Sequence, residues 1–275
     1  MSGSDMIKTA TNIVKGVFRS RKRKKSEFRP ISWVREKILK HQEDQTVKRL
    51  QAGKFTISFK RPYELLHSYT EIFANELYRF QSASAAPTII DCGSNIGLSV
   101  LYFKAIYPSS KIIAFEPDAN NFLLLEENVR QNHLQDVQLN KAAVWTRDGE
   151  ISFESNESEA SHISDNASSN RVASVSLRRI LEQHQSIDFL KVDIEGAEWP
   201  VMNDIQDQLR RVDNLFLEYH GKARETQKFN DLISILSKAG FKVYVRNAAD
   251  NLDHPFVEKE TAAIYDVQLN LFCYR

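Results

Sequence analysis

The stretch "IIDCGSNIGLSV" (residues 89–100) sets an acid, Asp91, ahead of two glycines four apart, Gly93 and Gly97, with an apolar run on either side. A strand that ends at the acid, turns through Gly93 and starts a helix near Asn95 directs unpaired backbone N–H groups and the positive helix end into the crevice above a sheet. An anionic or strongly polar part of a ligand belongs there. Glycine is required where the backbone turns tightly and where the first helical turn approaches the strand and ligand closely. Downstream, "KIIAFEPDANN" ends its own apolar run in Glu116, a carboxylate placed to accept both hydroxyls of a ribose at the neighbouring strand end. Together the two motifs predict a nucleoside-containing cofactor lying across adjacent strand ends.

Two later blocks bring titratable groups to the same rim. "VDIEGAE" puts Asp193 at the end of a strand, with Glu195 and Glu198 at the start of the next helix, where acids also offset the helix dipole and cap free N–H groups. "LEYH" adds Glu218 and His220, and a neutral imidazole there is able to take a proton from a hydroxyl. Asp193, Glu218 and His220 also make an oxygen-rich set suited to Mg²⁺ and vicinal hydroxyls, although their spacing does not require a metal. His162, in a serine-rich stretch, is a further candidate base.

The elements that must position these groups are readable from Thr88 onward. Short apolar runs at 88–91, 111–116, 137–140, 189–193 and 215–219 alternate with helical stretches at 96–106, 119–132, 177–183, 197–209 and 227–239. This is the pattern of βαβ units around a parallel sheet. "FKVYV" (241–245) and "VQLNLFCYR" (267–275) are expected as an antiparallel pair at its edge. The polar segment from Phe153 to Val172 is too long for an ordinary connection and is expected to close as a mobile lid.

The chain is long enough, at 275 residues, for one large α/β domain with an appendage. Its 42% apolar and 27% charged shares are ordinary for a globular protein, and no apolar run has the length of a membrane span. Cys92 and Cys273 are the only cysteines, without metal-ligand spacing, which fits a reducing, cytoplasmic setting. The net charge of +1 hides an asymmetry: the first 50 residues carry 14 Lys and Arg against 5 Asp and Glu, leaving 23 against 31 downstream. "RSRKRKK" (19–25) follows Ile7, Ala10, Val14, Val17 and Phe18, which share one face of a helix. Residues 1–54 are therefore expected as a basic, helical or partly disordered arm, and 55–275 as the folded domain. Residues 7–25 suit peripheral contact with an anionic membrane at its inner face. Nucleic acid is a weaker partner, because no aromatic platform interleaves the charges and the body is acidic.

Counted from Gly93, the dinucleotide fingerprint G-x-G-x-x-G fails at Asn95 and Leu98, which disfavours an NAD-dependent oxidoreductase. A non-catalytic nucleotide-binding module with a membrane- or RNA-binding arm stays open as the other alternative. The D-x-G-x-x-x-G spacing, followed by "EPDANN", "NKAAVW", "VASVSLRRIL", "IDFLKVDIEGAEWPVM" and "LFLEYH", with "SYTEIFANELYRF" ahead of it, resembles the FkbM family of S-adenosylmethionine (SAM) dependent methyltransferases from about Ser68 to Arg275. The resemblance implies a Rossmann-like class I methyltransferase fold, a SAM site drawn from Asp91, Gly93, Ser94, Asn95, Gly97, Glu116, Pro117, Ala143 and Asp193, and O-methylation of a sugar, glycan or glycolipid-like hydroxyl. For such a transfer the placement of Asp193 at a strand end beside the glycine loop makes it the first catalytic candidate, with Glu218 and His220 on the same rim alongside. The chain departs from the family text before the fourth strand, where Ser176, Arg178 and Arg179 stand in place of a threonine and two acids.

Overall fold

Ahead of the first expected strand the chain already builds structure. Helix α1 (Trp33–Lys40) is capped by the Ser32 side chain. It leads into an antiparallel hairpin of β1 (Lys48–Ala52) and β2 (Phe55–Phe59), then α2 (Pro62–Tyr69), which widens into a π-helical turn at Thr70–Ala74. The division expected between residues 54 and 55 falls inside this hairpin, and Leu39 and Leu50 are buried in the same core as Ile57 and Phe103. The computed structural model describes residues 28, 30–44, 46–154, 162–163, 170–258 and 264–275. The amphipathic helix and basic run expected over residues 5–25 lie outside them.

The main body follows the expected alternation: β3 (Thr88–Cys92), α3 (Leu98–Ile106), β4 (Lys111–Phe115), α4 (Ala119–Gln131) and β5 (Val137–Asn140). Helix α3, "LSVLYFKAI", is apolar on nearly every side and correspondingly buried, whereas α4 starts where the Asp118 side chain accepts from Asn120 and Asn121 N–H. Strand β2 is sealed along its edge by side chains of α4. Asn128 and Asn132 accept from the N–H groups of Ser58 and Thr56 and donate back to the same residues' carbonyls.

The two ends of the segment expected as a lid belong to a second sheet. Strands β6 (Ala143–Trp145), β7 (Gly149–Glu154), β8 (His162–Ile163) and β9 (Asn170–Ser176) form this sheet in the order β6-β9-β7-β8, with Ile151 opposite Val172 across β7 and β9. The alternating runs "GEISF" and "RVASVS" pair with each other, and the serine-rich stretch between them hides that pairing from a local reading. Residues 155–161 and 164–169 and the His162 side chain lie outside the described set.

Helix α5 (Leu177–Glu182), β10 (Ile187–Val192), α6 (Glu198–Asp204), β11 (Val212–Gly221), α7 (Thr226–Lys238), β12 (Lys242–Ala249) and β13 (Val267–Tyr274) complete the chain. α6 stops at Asp204, short of the expected Leu209, where the Arg178 guanidinium takes the Asp204 carbonyl. The central sheet runs β12-β13-β11-β10-β3-β4-β5, parallel except for β13, which pairs antiparallel with β11 on one side and with the edge strand β12 on the other. This is the expected Rossmann-like class I architecture. The inner parallel strands β3, β4 and β10 are largely apolar because both faces are covered. One face holds Phe73, Tyr102, Phe103 and Phe216, and the other Leu190, Val201, Leu217 and Leu232.

Candidate active site

The carboxyl ends of β3, β4, β10 and β11 meet around a cavity of about 970 Å³. That is the upper end of the size range for small-molecule sites. Strand β3 enters it through Gly93, which has φ +83° and leaves no room for a side chain, since a Cβ there would stand 1.8 Å from the Asp193 carbonyl oxygen. Gly97 has φ +89°, and its Cβ would meet Leu125 Cδ1 at 2.6 Å. Its crowding by protein atoms therefore comes from helix α4 rather than from the strand.

The N–H groups of the glycine loop are not aimed at a ligand. Gly93 and Ser94 both donate to the Phe115 carbonyl, Gly97 donates to the Ser94 carbonyl, and Asn95 donates to Glu116 Oε2 at 2.8 Å. The loop expected to offer unpaired donors satisfies these internally and presents shape. Glu116 is the clamp, since its Oε1 also accepts from Asp118 N–H at 2.8 Å. Burial lifts its pKa to about 7, against the pull of those two backbone donors. Ser94, Asn95, Glu116, Pro117 and Ala143 line the cavity around this clamp.

Asp91 is placed differently. It is fully buried and is not among the residues lining the cavity; Ser99 Oγ donates to its Oδ2 at 2.5 Å, and Lys191 Nζ lies 3.5 Å from its Oδ1. Lys191, which the sequence reading passed over, is the hub of this layer. Its ammonium stands 3.1 Å from Asp193 Oδ2, donates to the Gly93 carbonyl at 2.7 Å, and lies 5.8 Å from the ring centre of Tyr78. Burial opposes its charge, yet Asp193, Tyr78 and Asp91 outweigh burial and hold its pKa well above the usual lysine range. A lone lysine inside the apolar run "IDFLKV" was the available signal.

Beside Asp193 the backbone runs through left-handed Glu195 (φ 52°) and Gly196 (φ 93°), fixed by Tyr265, whose hydroxyl donates to the Glu195 carbonyl at 2.6 Å. Glu198, read from sequence as a simple helix-start acid, is fully buried and accepts from the N–H groups of Ile194 and Gly196 at 3.1 Å. Its Oε1 also stands 3.2 Å from His220 Nδ1. His220 does not line the cavity but sits behind it, with Nε2 3.5 Å from Glu195 Oε2 and 3.6 Å from Glu218 Oε1. Burial alone would keep its imidazole neutral; the facing carboxylates, Glu198 foremost, outweigh it and hold its pKa at about 10. Burial, reinforced by neighbouring acids and opposed by His220, lifts Glu195 and Glu218 to about 8. The rim histidine expected from the sequence is thus set behind the cavity among three carboxylates that favour its charged form.

Asp193, Glu195 and Glu218 do face the cavity. In register with Glu218, Asn270 and Arg246 continue one row across β13 and β12, and both also line it. The opposite wall comes from the segment ahead of the first parallel strand, including His67, Ser68, Glu71, Asn75 and Tyr78. The substituted positions after β9 lie elsewhere. Ser176 caps α5, Arg178 pairs with Asp207 at 2.6 Å, and Arg179 pairs with Asp148 at 3.0 Å, none of them in the cavity wall.

Residues 91–243 match the model of the methyltransferase FkbM domain. Methyltransferase 1 of Beauveria bassiana is 24% identical over 213 residues, covering 68% of this chain and 84% of that protein. Methyltransferase sdnD of Sordaria araneosa is 27% identical over 177 residues, covering 51% and 68%. Among solved structures, a methyltransferase FkbM from Methylobacillus flagellatus aligns at 18% identity and a TM-score of 0.48, over 74% of this chain and 47% of that one, so this chain spans about half its length.

Proposed function

The chain belongs to the FkbM family of methyltransferases, and from that premise we propose that it moves a methyl group from SAM to a hydroxyl oxygen of a sugar, glycan, glycolipid precursor or related small metabolite. It is a methyltransferase with SAM as cofactor. The observation that carries the acceptor class is the polar half of the cavity. Beyond the residues around Gly93 and Glu116, the walls offer Glu218, Asn270, Asn247, Glu71, Asn75 and Tyr78, an assortment of carboxylates, amides and a phenol suited to several hydroxyls.

In this reading Glu116 accepts the ribose hydroxyls through lone pairs left over from its two backbone bonds. Asp193, anchored by Lys191, orients the methionyl ammonium or the acceptor, and Glu218 at the cavity floor takes the acceptor proton. Bound SAM would supply the methyl group, and Glu218 in its ionised form would accept the hydroxyl proton as the S–CH₃ bond gives way to an O–CH₃ bond, so that the sulfonium and carboxylate charges would be neutralised together and S-adenosylhomocysteine would leave. Enclosure between the two walls keeps water from the sulfonium.

The basic N-terminal arm is assigned, in the same proposal, to reversible contact with the anionic inner face of a membrane, from a cytoplasmic location. Exposed Trp33, Val34 and Ile38 on α1, next to Lys37 and Lys40, support that assignment by extending a basic, amphipathic surface. No helix among the described residues is long and apolar enough to cross a bilayer.

The test is transfer of a deuterated methyl group from labelled SAM to glycan, lipid and small-metabolite fractions, read by mass spectrometry. Asp193→Asn and Glu218→Gln should each cut turnover roughly 10²-fold, the scale of a lost general base. Label arriving on nitrogen or carbon, or wild-type turnover in both variants, overturns the assignment.

A further inference from the structure

The group behind the cavity floor has a geometry that methyl transfer from SAM does not by itself require. We propose that Asp193, Glu195 and His220 bind a divalent cation of the Mn²⁺ or Mg²⁺ type. One potential ligand atom from each lies within 4.8 Å of the others. Asp193 and Glu195 reach this point from the cavity side, and His220 reaches it from the buried side.

The orientation of His220 is the observation that points to a ligand. Its Nδ1 is committed to Glu198, and Glu198 cannot turn away, because it also holds the Ile194 and Gly196 N–H groups and is fully buried. That fixes the ring with Nε2 aimed at the carboxylates of Glu195 and Glu218. The 3.5 and 3.6 Å separations are too wide for a strong hydrogen bond. The 3.5 Å between His220 Nε2 and Glu195 Oε2, the pair that belongs to the proposed set, falls between the roughly 3 Å of neighbouring ligands and the roughly 4 Å of opposite ligands around a shared octahedral ion with bonds of about 2.1 Å. A ligating histidine characteristically gives its other ring N–H to a carboxylate, which fixes the tautomer and the aim of the metal-binding nitrogen. Glu198 stands in that position.

The donor set decides the metal class. Two carboxylates and one imidazole, with remaining positions open to the cavity, are poor in the soft ligands that select zinc or copper(I), and the imidazole favours Mn²⁺ over Mg²⁺. Glu195 replaces Glu218 as the third ligand in the set suggested by the sequence, and Glu218 stays beside the site as proton acceptor. The site does not depend on the acceptor's identity. Its role, holding adjacent acceptor hydroxyls and lowering the pKa of the one to be methylated, rests on the hydroxyl-methylation reading above.

The experiment uses the full chain stripped with EDTA and titrated with Mn²⁺ alone, read by calorimetry and electron paramagnetic resonance, with SAM titrated separately in the presence of EDTA. The expected result is saturable binding of one Mn²⁺ per chain, displaced by excess Mg²⁺. Binding should weaken at least tenfold in Glu195→Gln and in His220→Gln, and roughly 10- to 100-fold in Glu198→Gln through loss of the histidine's support. Glu195 is the partly exposed member, so its variant carries the decision if either buried variant fails to fold. Absence of saturable Mn²⁺ binding, or unchanged affinity in Glu195→Gln, overturns the proposal. SAM binding without Mn²⁺ binding removes the metal site alone, whereas Mn²⁺ binding without SAM binding supports the metal site and removes the cofactor assignment.

Discussion

Replacing Lys191 by methionine should test whether the charged layer beneath the cavity is held together as described. The change keeps the apolar stem and deletes the ammonium that stands 3.5 Å from Asp91 Oδ1 and 3.1 Å from Asp193 Oδ2. Asp193 retains some access to water, but Asp91 is fully buried, and its Oδ1 has no hydrogen bond to fall back on. Removing one partner of a buried pair costs roughly 3–5 kcal/mol, because the other charge is left uncompensated. For a domain of this size, at about 2–4 °C per kcal/mol, that corresponds to a fall in Tm of roughly 6–20 °C. Urea denaturation followed by circular dichroism measures it, with Lys191→Met/Asp91→Asn as the second arm. Neutralising Asp91 should recover a large part of the loss, since no buried charge is then stranded. A single-variant loss below about 1 kcal/mol, the level of an exposed pair, would refute the reasoning, as would strictly additive losses in the double variant.

Gly93→Ala should abolish SAM binding in calorimetry while the far-UV spectrum keeps its shape, because a Cβ at 1.8 Å from the Asp193 carbonyl forces the loop and β10 apart; undiminished affinity would show that the loop does not shape the site. Glu116→Ala should weaken SAM binding at least roughly tenfold by losing charge-assisted bonds to ribose, with Glu116→Gln falling between it and wild type. The folded pKa of Glu116, about 7, lies above its unfolded value, so ionising it disfavours the unliganded fold as pH rises from about 4.5 to 7. Donors from a bound ribose favour the ionised form, so SAM affinity should strengthen between pH 6 and 8 in wild type, and this dependence should flatten in Glu116→Gln. Co-sedimentation with phosphatidylserine vesicles should fall when the Lys and Arg of residues 19–25 are changed to alanine and should weaken with added salt, whereas equal binding to neutral vesicles would remove the electrostatic dock.

The cofactor half was legible because its signals are local. A strand ending near Asp91, a positive-φ glycine two residues later, and an acid at the next strand end are all fixed by short-range backbone geometry. The parallel order of strands and the antiparallel edge pair followed from element lengths and connections. Lys191 was missed because its meaning comes from register: Lys191 stands opposite Asp91 only once β10 pairs with β3, and parallel register has no local code. Glu198 was assigned to its own helix start, which it does serve, but its contact with His220 spans two elements. The wall from Phe59 to Tyr78 carries no site motif of its own, and only the closed fold shows it leaning over the strand ends. The second sheet was lost for a different reason, because a polar insertion separates strands that pair with each other.

The position of β13 also bears on how the protein is made. In chain order it follows every other described strand, yet it lies between β11 and β12, hydrogen-bonded on both sides, and Leu271 and Cys273 are buried in the core. Tyr265, which ties down Glu195, arrives just ahead of it. A nascent chain that has emerged only as far as β12 therefore carries the complete glycine loop and Glu116, but β11 still has a free edge and Glu195 lacks its tether. During synthesis the residues of the cofactor half are therefore all present before the acceptor floor is closed, because a chain that ends at β12 lacks both the strand beside Glu218 and the tether of Glu195.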